Sequence, residues 1–470
     1  MDTEIIRQLK QTVTDYASML GCRPRACIVT FGCQMNARDS EKLRGVLSAS
    51  GFELTDSEDC DFLIYNTCTV RENANTRVYG RLGKVKSYKK KNPLMMVALC
   101  GCMMQEKSVT DEIRSKYGFV DLVFGTFNLD RFPYLLEDLL RARLEEQPCF
   151  TRVEIIDSTE NDADRLPSAR NYPFKAGVNI MYGCNNFCSY CIVPYVRGRE
   201  RSREPSEILE EIRYLREDGV REIMLLGQNV NSYGKTLNRP KSFAWLLDRI
   251  AGEFSSELLI RFMTSHPKDL SDDLIRVMAD HDNICEHIHL PVQAGSDRIL
   301  QAMNRHYTRE DYLALIDKIR SAMPDIAITT DIMVGFPSET ETDIDQTIDL
   351  IERSGFDNAF TFLYSRRTGT PAAAMEDQVD GETASRWFDK VLEAVHCSAR
   401  ERNRRFAGRI MPVLVEQENR HNDGWISGRI SHNLLVHFKG SPKLIGKIIP
   451  VKITESKGFY LMGETVSDED

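Results

Sequence analysis

The sequence of 470 residues contains no run that approaches the roughly 20 consecutive apolar residues a membrane-spanning helix requires. Its first four residues lack a basic region followed by an apolar stretch, so no secretory signal is visible. We therefore expect a cytoplasmic protein that makes no contact with a membrane. The formal net charge is −9, so bulk charge gives no indication of nucleic-acid binding, and any RNA must be held by local basic patches.

The 13 cysteines do not indicate a disulfide framework, because their number is odd and they are scattered along a long chain. In a reducing compartment, such cysteines more often bind metal or take part in catalysis. Segment 182–191 holds three of them, Cys184, Cys188 and Cys191, with the spacing C-x3-C-x2-C. Four thiolates usually saturate an iron–sulfur cluster, so a [4Fe–4S] cluster on three would keep one iron open for a small molecule. The alternative is a zinc knuckle, but no neighbour supplies an obvious fourth ligand.

Strand and helix patterns alternate through a first domain, which we place at 24–145. Predicted strands at 25–31, 61–66 and 94–99 are short and apolar. One helix is predicted from Ser40 to Gly51, and another ends before Pro93. This alternation predicts an α/β domain built on a parallel sheet.

A cysteine follows each of these three strands: Cys33, Cys68 and Cys102. Because the carboxyl ends of parallel strands share the edge where ligand sites form, we expect a second three-thiolate site there. The alternative is three buried free thiols. Cys100 is a second candidate at the third position, but we choose Cys102, which follows the flexible Gly101 into the loop. Packing is the better explanation for the remaining six: Cys22, Cys27, Cys60, Cys149, Cys285 and Cys397.

After a polar linker at 146–170, a longer alternation begins in a central domain at 171–403. Strands are predicted at 178–181, 222–226, 259–263, 287–290, 326–334 and 359–364. Six strand–helix units fall short of the eight in a closed barrel of about 250 residues. We therefore expect an open, partial (β/α)6 TIM-like barrel with its active face at the carboxyl ends of the strands. The C-x3-C-x2-C motif follows the first strand there.

Other candidate site residues lie at the same strand ends. Gln228 and Asn229 follow the second strand and Gly335 follows the fifth, where the alternative in each case is a solvated turn. Arg197 and Arg203 belong to a run of four alternating arginines after the cysteine motif. Forked guanidinium groups suit phosphate or carboxylate, so we expect contacts with the ligands of the site rather than a solvated loop. His287 and His289 are more simply explained as satisfied histidines than as metal ligands.

The C-terminal segment at 404–467 has short strands of period two punctuated by glycines, which predicts a small antiparallel β-barrel. Over 404–466 it has ten Lys and Arg against five acidic residues, a charge of +5, whereas the rest of the chain has −14. A basic module on an acidic protein favours nucleic-acid binding. The alternative is an oligomerisation barrel with a solvated face.

The motifs taken together resemble those of the methylthiotransferases of the radical S-adenosylmethionine (SAM) superfamily. The cysteine motif at 184–191 is similar to the cluster motif of radical SAM enzymes, and TFGCQMN at 30–36, NTCTVRE at 66–72 and GCMMQ at 101–105 look like the auxiliary-cluster signatures of the family. LLGQNVN at 225–231 and HLPVQAGS at 289–296 resemble its MiaB branch, the tRNA-2-methylthio-N6-dimethylallyladenosine synthases. The resemblance extends over about 25–461 and includes a TRAM RNA-binding barrel at the C-terminus.

This resemblance implies two [4Fe–4S] clusters and SAM as cofactors. Cys184, Cys188 and Cys191 would hold the cluster that binds and cleaves SAM, with Tyr190 beside the adenine. Cys33, Cys68 and Cys102 would hold the auxiliary cluster that carries sulfur. The further contacts to SAM or RNA would come from Gln228, Asn229, Gly335, Arg197 and Arg203.

The implied reaction inserts a methylthio group at C2 of N6-isopentenyladenosine, immediately 3′ of a tRNA anticodon. SAM would serve both as methyl donor and as source of a 5′-deoxyadenosyl radical. The implied partners are the tRNA anticodon stem-loop, an electron donor such as flavodoxin or ferredoxin, and a sulfur donor, with the enzyme itself a monomer. The alternatives are a methylthiotransferase for threonylcarbamoyladenosine or for a ribosomal protein aspartate, a non-catalytic iron–sulfur or RNA-binding scaffold, and a protein with two zinc sites.

Overall fold

The structure, a computed structural model, describes residues 3–69, 72–147, 151–156, 163–255, 258–263, 265–420 and 422–466. It divides into two compact units. The first comprises Met1–Asn171, Gly183–Asn185 and Ile192–Arg199, and the second comprises Tyr172–Tyr182, Asn186–Cys191 and Glu200–Asp470. Within the described ranges, no helix is both long and apolar enough to cross a membrane.

The first unit is built on a six-stranded parallel sheet with the strand order β2-β1-β3-β4-β5-β6. Two apolar clusters cover the sheet, one with residues of α1, α2 and α5 and the other with residues of α3 and α4. The elements are α1 (Thr3–Leu20), β1 (Arg25–Thr30), α2 (Gln34–Ser50), β2 (Glu53–Leu54), β3 (Phe62–Thr67), α3 (Glu72–Lys91), β4 (Met96–Gly101), α4 (Lys107–Lys116), β5 (Leu122–Phe124), α5 (Phe132–Leu144), β6 (Arg152–Glu154) and the short α6 (Val193–Val196).

The three predicted strands of this unit correspond to β1, β3 and β4, and the prediction of a parallel sheet is confirmed. The predicted start of the first helix at Ser40 was wrong, because α2 begins at Gln34. Its first turns bury polar side chains, among them Asn36 and Asp39, so the apolar period that marks a helix in a sequence is missing there. Strand β6 pairs with β5 and lies inside the stretch read as a linker.

The second unit contains six parallel strands that follow one another in chain order, in two sheets, β7-β10-β11 and β12-β13-β14. Ile260, in the first of these sheets, forms a parallel bridge with Ile284, which lies just before the first strand of the second sheet. The expected open (β/α)6 arrangement is confirmed. Its elements are β7 (Lys175–Asn179), the hairpin strands β8 (Met181–Tyr182) and β9 (Arg201–Ser202), α7 (Pro205–Glu217), β10 (Glu222–Leu226), α8 (Phe243–Glu253), β11 (Leu259–Phe262), α9 (Asp272–Asp280), β12 (His287–His289), α10 (Asp297–Ala302), α11 (Arg309–Ala322), β13 (Ala327–Val334), α12 (Glu341–Ser354), β14 (Asn358–Leu363) and α13 (Gly381–Asn403).

The two faces of these strands have different chemistry, as strand β13 illustrates. Ile328, Ile332 and Val334 belong to an apolar core shared with the surrounding helices. Thr329 points to the other face, where its hydroxyl is 2.9 Å from a ring nitrogen of both His287 and His289. Alternation along the strands thus separates a packed outer layer from a polar inner face.

The C-terminal segment folds as a closed five-stranded barrel in the order β15-β16-β17-β19-β18. Four of its strand pairs are antiparallel, and β17 and β19 pair in parallel, which the sequence did not predict. The guanidinium of Arg261, on β11, donates to the carbonyls of Ile430 and Ser431 in this barrel and is held by Glu222 at 2.8 Å. The strands are β15 (Ile410–Glu418), β16 (Trp425–Arg429), β17 (Leu435–Lys439), β18 (Ile448–Ser456) and β19 (Tyr460–Thr465).

Candidate active site

Three cysteines of the first unit lie at the carboxyl ends of neighbouring strands. Cys33 is the N-cap residue of α2, Cys68 directly follows β3, and Cys102 directly follows β4. Strands β1, β3 and β4 are adjacent in the sheet, so the three thiols share one edge of it.

Two glycines at this edge leave room that any other residue would fill. A Cβ on Gly32, whose φ is +125°, would lie 2.8 Å from the sulfur of Cys68. A Cβ on Gly101, whose φ is +97°, would lie 2.3 Å from the carbonyl oxygen of Thr67 and 2.5 Å from the amide oxygen of Asn66. Glycine is therefore required at both positions by backbone conformation and by space.

The side chain of Asn36 links two of the three strand ends, those of β1 and β3. Its amide nitrogen donates to the Oδ1 of Asn66 at 3.1 Å and to the carbonyl of Thr67 at 2.8 Å. Its Oδ1 accepts from the thiol of Cys33 at 3.3 Å. Asn66 in turn donates to the carbonyl of Asn36 at 2.9 Å. This network holds the segments that carry Cys33 and Cys68 against each other.

Cys100 and Cys102 have different surroundings. Cys100 lies within β4 and packs into the apolar core, where burial holds the pKa of its thiol well above the usual value. Burial also raises the pKa of Cys102 to about 12, and the cation of Arg197 acts in the opposite direction on both thiols. The thiols of Cys33 and Cys68 lie close enough to interact electrostatically with Cys102. Cys102, rather than Cys100, thus has the two other thiols among its electrostatic neighbours.

The side chain of Arg197 lies beside one of the cysteines of the first unit. Its side chain is buried in the first unit, where Nε donates to the sulfur of Cys102 at 3.0 Å and Nη2 to the carboxylate of Asp39 at 2.9 Å. The structure therefore places this guanidinium beside the thiols.

The chain passes from the first unit to the second within the C-x3-C-x2-C motif. Cys184 lies in the first unit, and its backbone N–H donates to the carbonyl of Gly198 at 3.1 Å. Gly183, with φ +68°, has no space for a Cβ, which would lie 2.0 Å from the carbonyl oxygen of Arg199. The glycine before the first cysteine of the motif is thus required by the close approach of two backbones.

The other two cysteines of the motif are positioned by the segment after α10. The backbone N–H of Ser189 donates to the carbonyl of Met303 at 3.1 Å, and Asn304 donates to the carbonyl of Phe187 at 3.0 Å. Cys188 is buried and Cys191 is half-buried, with the N–H of Cys191 donating to the carbonyl of Cys188.

A buried arginine in the second unit contacts Cys188. The Nη1 of Arg305 lies 3.4 Å from the Cys188 sulfur and 3.4 Å from the hydroxyl of Tyr190. Its Nη2 donates to the carbonyl of Pro291 at 2.6 Å, and its Nε donates to the hydroxyl of Tyr307 at 2.9 Å. Sequence reasoning missed Arg305, because it lies 117 residues from Cys188 in a short loop without periodicity.

Asn229 follows β10 and belongs to a group of contacting polar residues that also includes Asp269 and His266. Of these, the sequence indicated only Asn229. Its side-chain nitrogen donates to Asp269 at 2.7 Å, and its oxygen accepts from the backbone of His266 at 3.1 Å. The ring of His266 meets that of Tyr307 edge-on, with 5.7 Å between centroids. Burial lowers the pKa of His266 to about 2, so the imidazole is neutral, and its Nε2 has no hydrogen-bond partner among the described residues.

The remaining predicted site residues occupy the expected strand ends. Gln228 is half-buried beside Asn229. Gly335 ends β13 with φ +81°, and its N–H donates to Glu339 at 2.6 Å. Arg203 is buried, and its Nη1 donates to the carbonyl of Asn179 at 2.6 Å and to Glu211 at 2.7 Å. The contacts of Arg203 tie the end of β7 to helix α7.

The cysteines outside the two sets divide by exposure. Cys27, Cys60 and Cys285 are buried, in agreement with packing, whereas Cys22 and Cys397 are exposed, so packing was the wrong explanation for these two. Cys149 lies outside the described residues. Across the described ranges, no three His, Cys, Asp or Glu side chains form a group that a single metal ion could use.

Comparison with known proteins identifies the family. Residues 178–351 match the Radical SAM superfamily, 25–125 match the Uncharacterized protein family UPF0004, and 404–466 match the TRAM domain. A tRNA-2-methylthio-N(6)-dimethylallyladenosine synthase of Lachnoclostridium phytofermentans is 54% identical over 459 residues, which cover 98% of this chain and 99% of that protein. The chain belongs to the tRNA-2-methylthio-N(6)-dimethylallyladenosine synthase family.

Further comparisons agree with this membership. The synthase of the same name from Clostridioides difficile is 48% identical, covering 98% of this chain and 96% of that protein. Among solved structures, the radical S-adenosylmethionine methyltransferase TsrM from Kitasatospora setae, with tryptophan substrate and a SAM analogue bound, matches 74% of this chain and 75% of its own. Its TM-score is 0.51 at 14% identity, which shows a shared fold.

Members of this synthase family carry two [4Fe–4S] clusters and bind SAM. The residues of this chain fit such groups. Each cysteine set offers three soft thiolate donors and is one short of saturation, which suits a cluster with an open iron. At the first set, Gly32 also leaves the space beside the sulfur of Cys68 that a side chain would fill.

Proposed function

We propose that this protein inserts a methylthio group at C2 of N6-dimethylallyladenosine in tRNA, with SAM as methyl donor and as radical source. The observation that carries the proposal is the presence of two incomplete thiolate sets in one chain. A single set would account for SAM cleavage, whereas the second provides a place for the sulfur. The identity of about half of all residues to synthases of this name, over nearly the full chain, supports the same assignment.

The two clusters and bound SAM would supply the radical and sulfur-transfer chemistry, which side chains cannot perform. Cys184, Cys188 and Cys191 would hold one cluster, and Cys33, Cys68 and Cys102 the other. The chain's own contribution is to position these ligands, through the glycines and amide network at the first set and through the 303–305 segment at the second.

For SAM we propose contacts with Tyr190, Gln228, Asn229 and Gly335, all at the carboxyl ends of the barrel strands. Tyr190 packs at the edge of an apolar cluster that includes Phe336, which suits the face of an adenine. The neutral Nε2 of His266, which has no hydrogen-bond partner within the described ranges, adds a polar group that sequence reasoning did not include. Arg203, engaged with Glu211, would act by holding the end of β7 rather than by direct contact.

For the substrate base we propose the inner face of β14, the last strand of the open barrel. Phe360 and Phe362 alternate on one face of this strand and are 48% and 38% exposed. Aromatic rings exposed at the open side of a sheet suit stacking with an unpaired base and contact with an apolar dimethylallyl group. Beside Phe360, the imidazole of His289 lies 3.4 Å from the carboxylate of Asp331, which provides polar groups for a base edge.

The remaining assignments follow from this activity. The basic barrel at 404–467 would bind the tRNA, and the domain that binds SAM would extend over 171–403. An external electron donor such as flavodoxin or ferredoxin and a sulfur donor would serve the reaction. We also propose a monomer located in the cytoplasm, where the tRNA substrate is found.

Mass spectrometry of tRNA nucleosides tests the function. A strain without this gene is expected to lose 2-methylthio-N6-dimethylallyladenosine and accumulate N6-dimethylallyladenosine, and the intact gene should restore it. A gene with Cys184→Ala provides the matched negative control. An unchanged nucleoside profile would reject the proposal. Loss of a methylthio group from threonylcarbamoyladenosine or from a ribosomal protein would instead show that this protein acts on that related substrate.

A further inference from the structure

Arg197 occupies a fixed position beside the first cysteine set. Its backbone N–H donates to the carbonyl of Val193 at 2.8 Å, and the carbonyl of Val196 accepts from Thr126 at 3.0 Å. Ile192 and Val196 pack against Cys102 in a small buried cluster. Backbone and apolar contacts thus hold the loop whether or not the guanidinium bonds to sulfur.

The guanidinium has a close neighbour on each of two arms. Nε faces the Cys102 sulfur at 3.0 Å, and Nη2 faces the carboxylate of Asp39 at 2.9 Å, with Asn36 at 3.5 Å. Because a guanidinium stays protonated in proteins, Arg197 places a buried positive charge within hydrogen-bond distance of a ligand sulfur.

We propose that Arg197 is a positioning residue that raises the reduction potential of the cluster held by Cys33, Cys68 and Cys102. The proposal rests on the proposed function, which assigns a cluster to this set. Hydrogen bonds to cluster sulfurs and nearby positive charge stabilise the reduced form, which has one more negative charge. The negative charge of Asp39 lowers the reduction potential, so the potential depends on both residues.

The test uses the full chain with Cys184, Cys188 and Cys191 all replaced by alanine, so that signals come from one cluster. After anaerobic reconstitution, iron and sulfide analysis establishes the loading. The midpoint potential is then measured by titration with chemical reductants, followed by visible absorption and electron paramagnetic resonance. Arg197→Gln removes the charge and keeps an amide donor, whereas Arg197→Lys keeps the charge, and the exposed Arg199→Gln in the same loop is the matched control.

Arg197→Gln is expected to make reduction at least tenfold less favourable, a shift of 59 mV to more negative potential for one electron. Arg197→Lys should show a smaller shift, because it keeps the charge, and Arg199→Gln should have the potential of the parent protein. A loaded Arg197→Gln variant with the parent potential would overturn the proposal. If that variant takes up no iron, Asp39→Asn decides, because its potential must rise above that of the parent, and an unchanged or lower value would overturn the proposal.

Two combinations of results distinguish failure of the role of Arg197 from failure of the proposed function. Wild-type protein that forms the methylthio nucleoside, with no shift in Arg197→Gln, rejects the role of Arg197 alone. Wild-type protein that binds two clusters but forms no methylthio nucleoside, with the shift present, rejects the function and keeps the role of Arg197.

Discussion

The ring of Phe360 meets that of His289 edge-on, with 5.8 Å between centroids and an interplanar angle of 70°. Phe360 stays half-exposed on β14, the last strand of the open barrel. Its neighbour His289 is oriented by contacts with Thr329 and Asp331. Edge strands of this kind normally carry charge to prevent pairing, so exposed aromatic rings there indicate a surface kept for binding.

Replacing Phe360 by alanine is expected to weaken the use of an anticodon stem-loop that contains N6-dimethylallyladenosine. Stacking of a base on an aromatic side chain is worth about 1–3 kcal/mol, which corresponds to a loss of roughly 5- to 150-fold in kcat/KM. Phe360→Tyr should retain most of the activity. The control is Tyr214→Ala, an exposed aromatic on helix α7. Equal kcat/KM values for the two alanine variants would place the base elsewhere.

Cys100 and Cys102 are expected to differ in iron content when each is replaced by alanine. Cys102→Ala should lose the iron and sulfide of one cluster, because Cys102 is the residue grouped with Cys33 and Cys68. Cys100→Ala should retain both clusters, since that thiol packs in the apolar core. Iron and sulfide analysis of the reconstituted proteins distinguishes the two. Full loading of Cys102→Ala together with loss from Cys100→Ala would reverse the assignment.

Gly32→Ala is expected to remove the same cluster while leaving the fold intact. The new methyl group would lie 2.4 Å from the Cβ of Cys68, so this cysteine must move away from the other two. Gly83→Ala, in helix α3 with nothing within 4 Å of the added methyl, is the matched control. That change should stabilise the protein by up to about 1 kcal/mol. Normal iron content in Gly32→Ala would show that the position of Cys68 is not critical.

Glu339 is expected to make stability depend on pH. Burial raises the pKa of its carboxyl to about 7, although the backbone N–H groups of Gly335 and Phe336 partly oppose the rise. The folded protein therefore binds this proton more tightly than the unfolded chain does. The resulting stability is present below the unfolded pKa of 4.5 and is lost as the pH rises through about 7.

Glu339→Gln should remove this dependence, because the amide does not ionise and its oxygen can still accept from Gly335 and Phe336. The contribution is at most about 3 kcal/mol over the window, from the size of the pKa shift. Urea unfolding of both proteins at several pH values between these limits measures it. Parallel pH curves for wild type and variant would show that Glu339 does not carry the effect.

Local pattern was sufficient for most of the strands and helices. Strand and helix periods reflect burial within a few residues, so the parallel sheet and the six-strand barrel could be predicted from them. Cys33, Cys68 and Cys102 followed from one topological rule, because strand ends of one sense meet at one edge. The predicted start of α2 was wrong because buried polar residues in its first turns interrupt the apolar period of the helix.

The amino-acid sequence by itself determined which residues can ligate a cluster, because thiol chemistry and spacing are local properties. Tertiary structure decided what surrounds them. Arg197 reaches Cys102 across 95 residues of sequence, and Arg305 reaches Cys188 across 117. Neither contact has a period or a motif, since it depends on how distant loops pack. Charge beside a ligand is thus a property of the fold, whereas the ligand itself is a property of the chain.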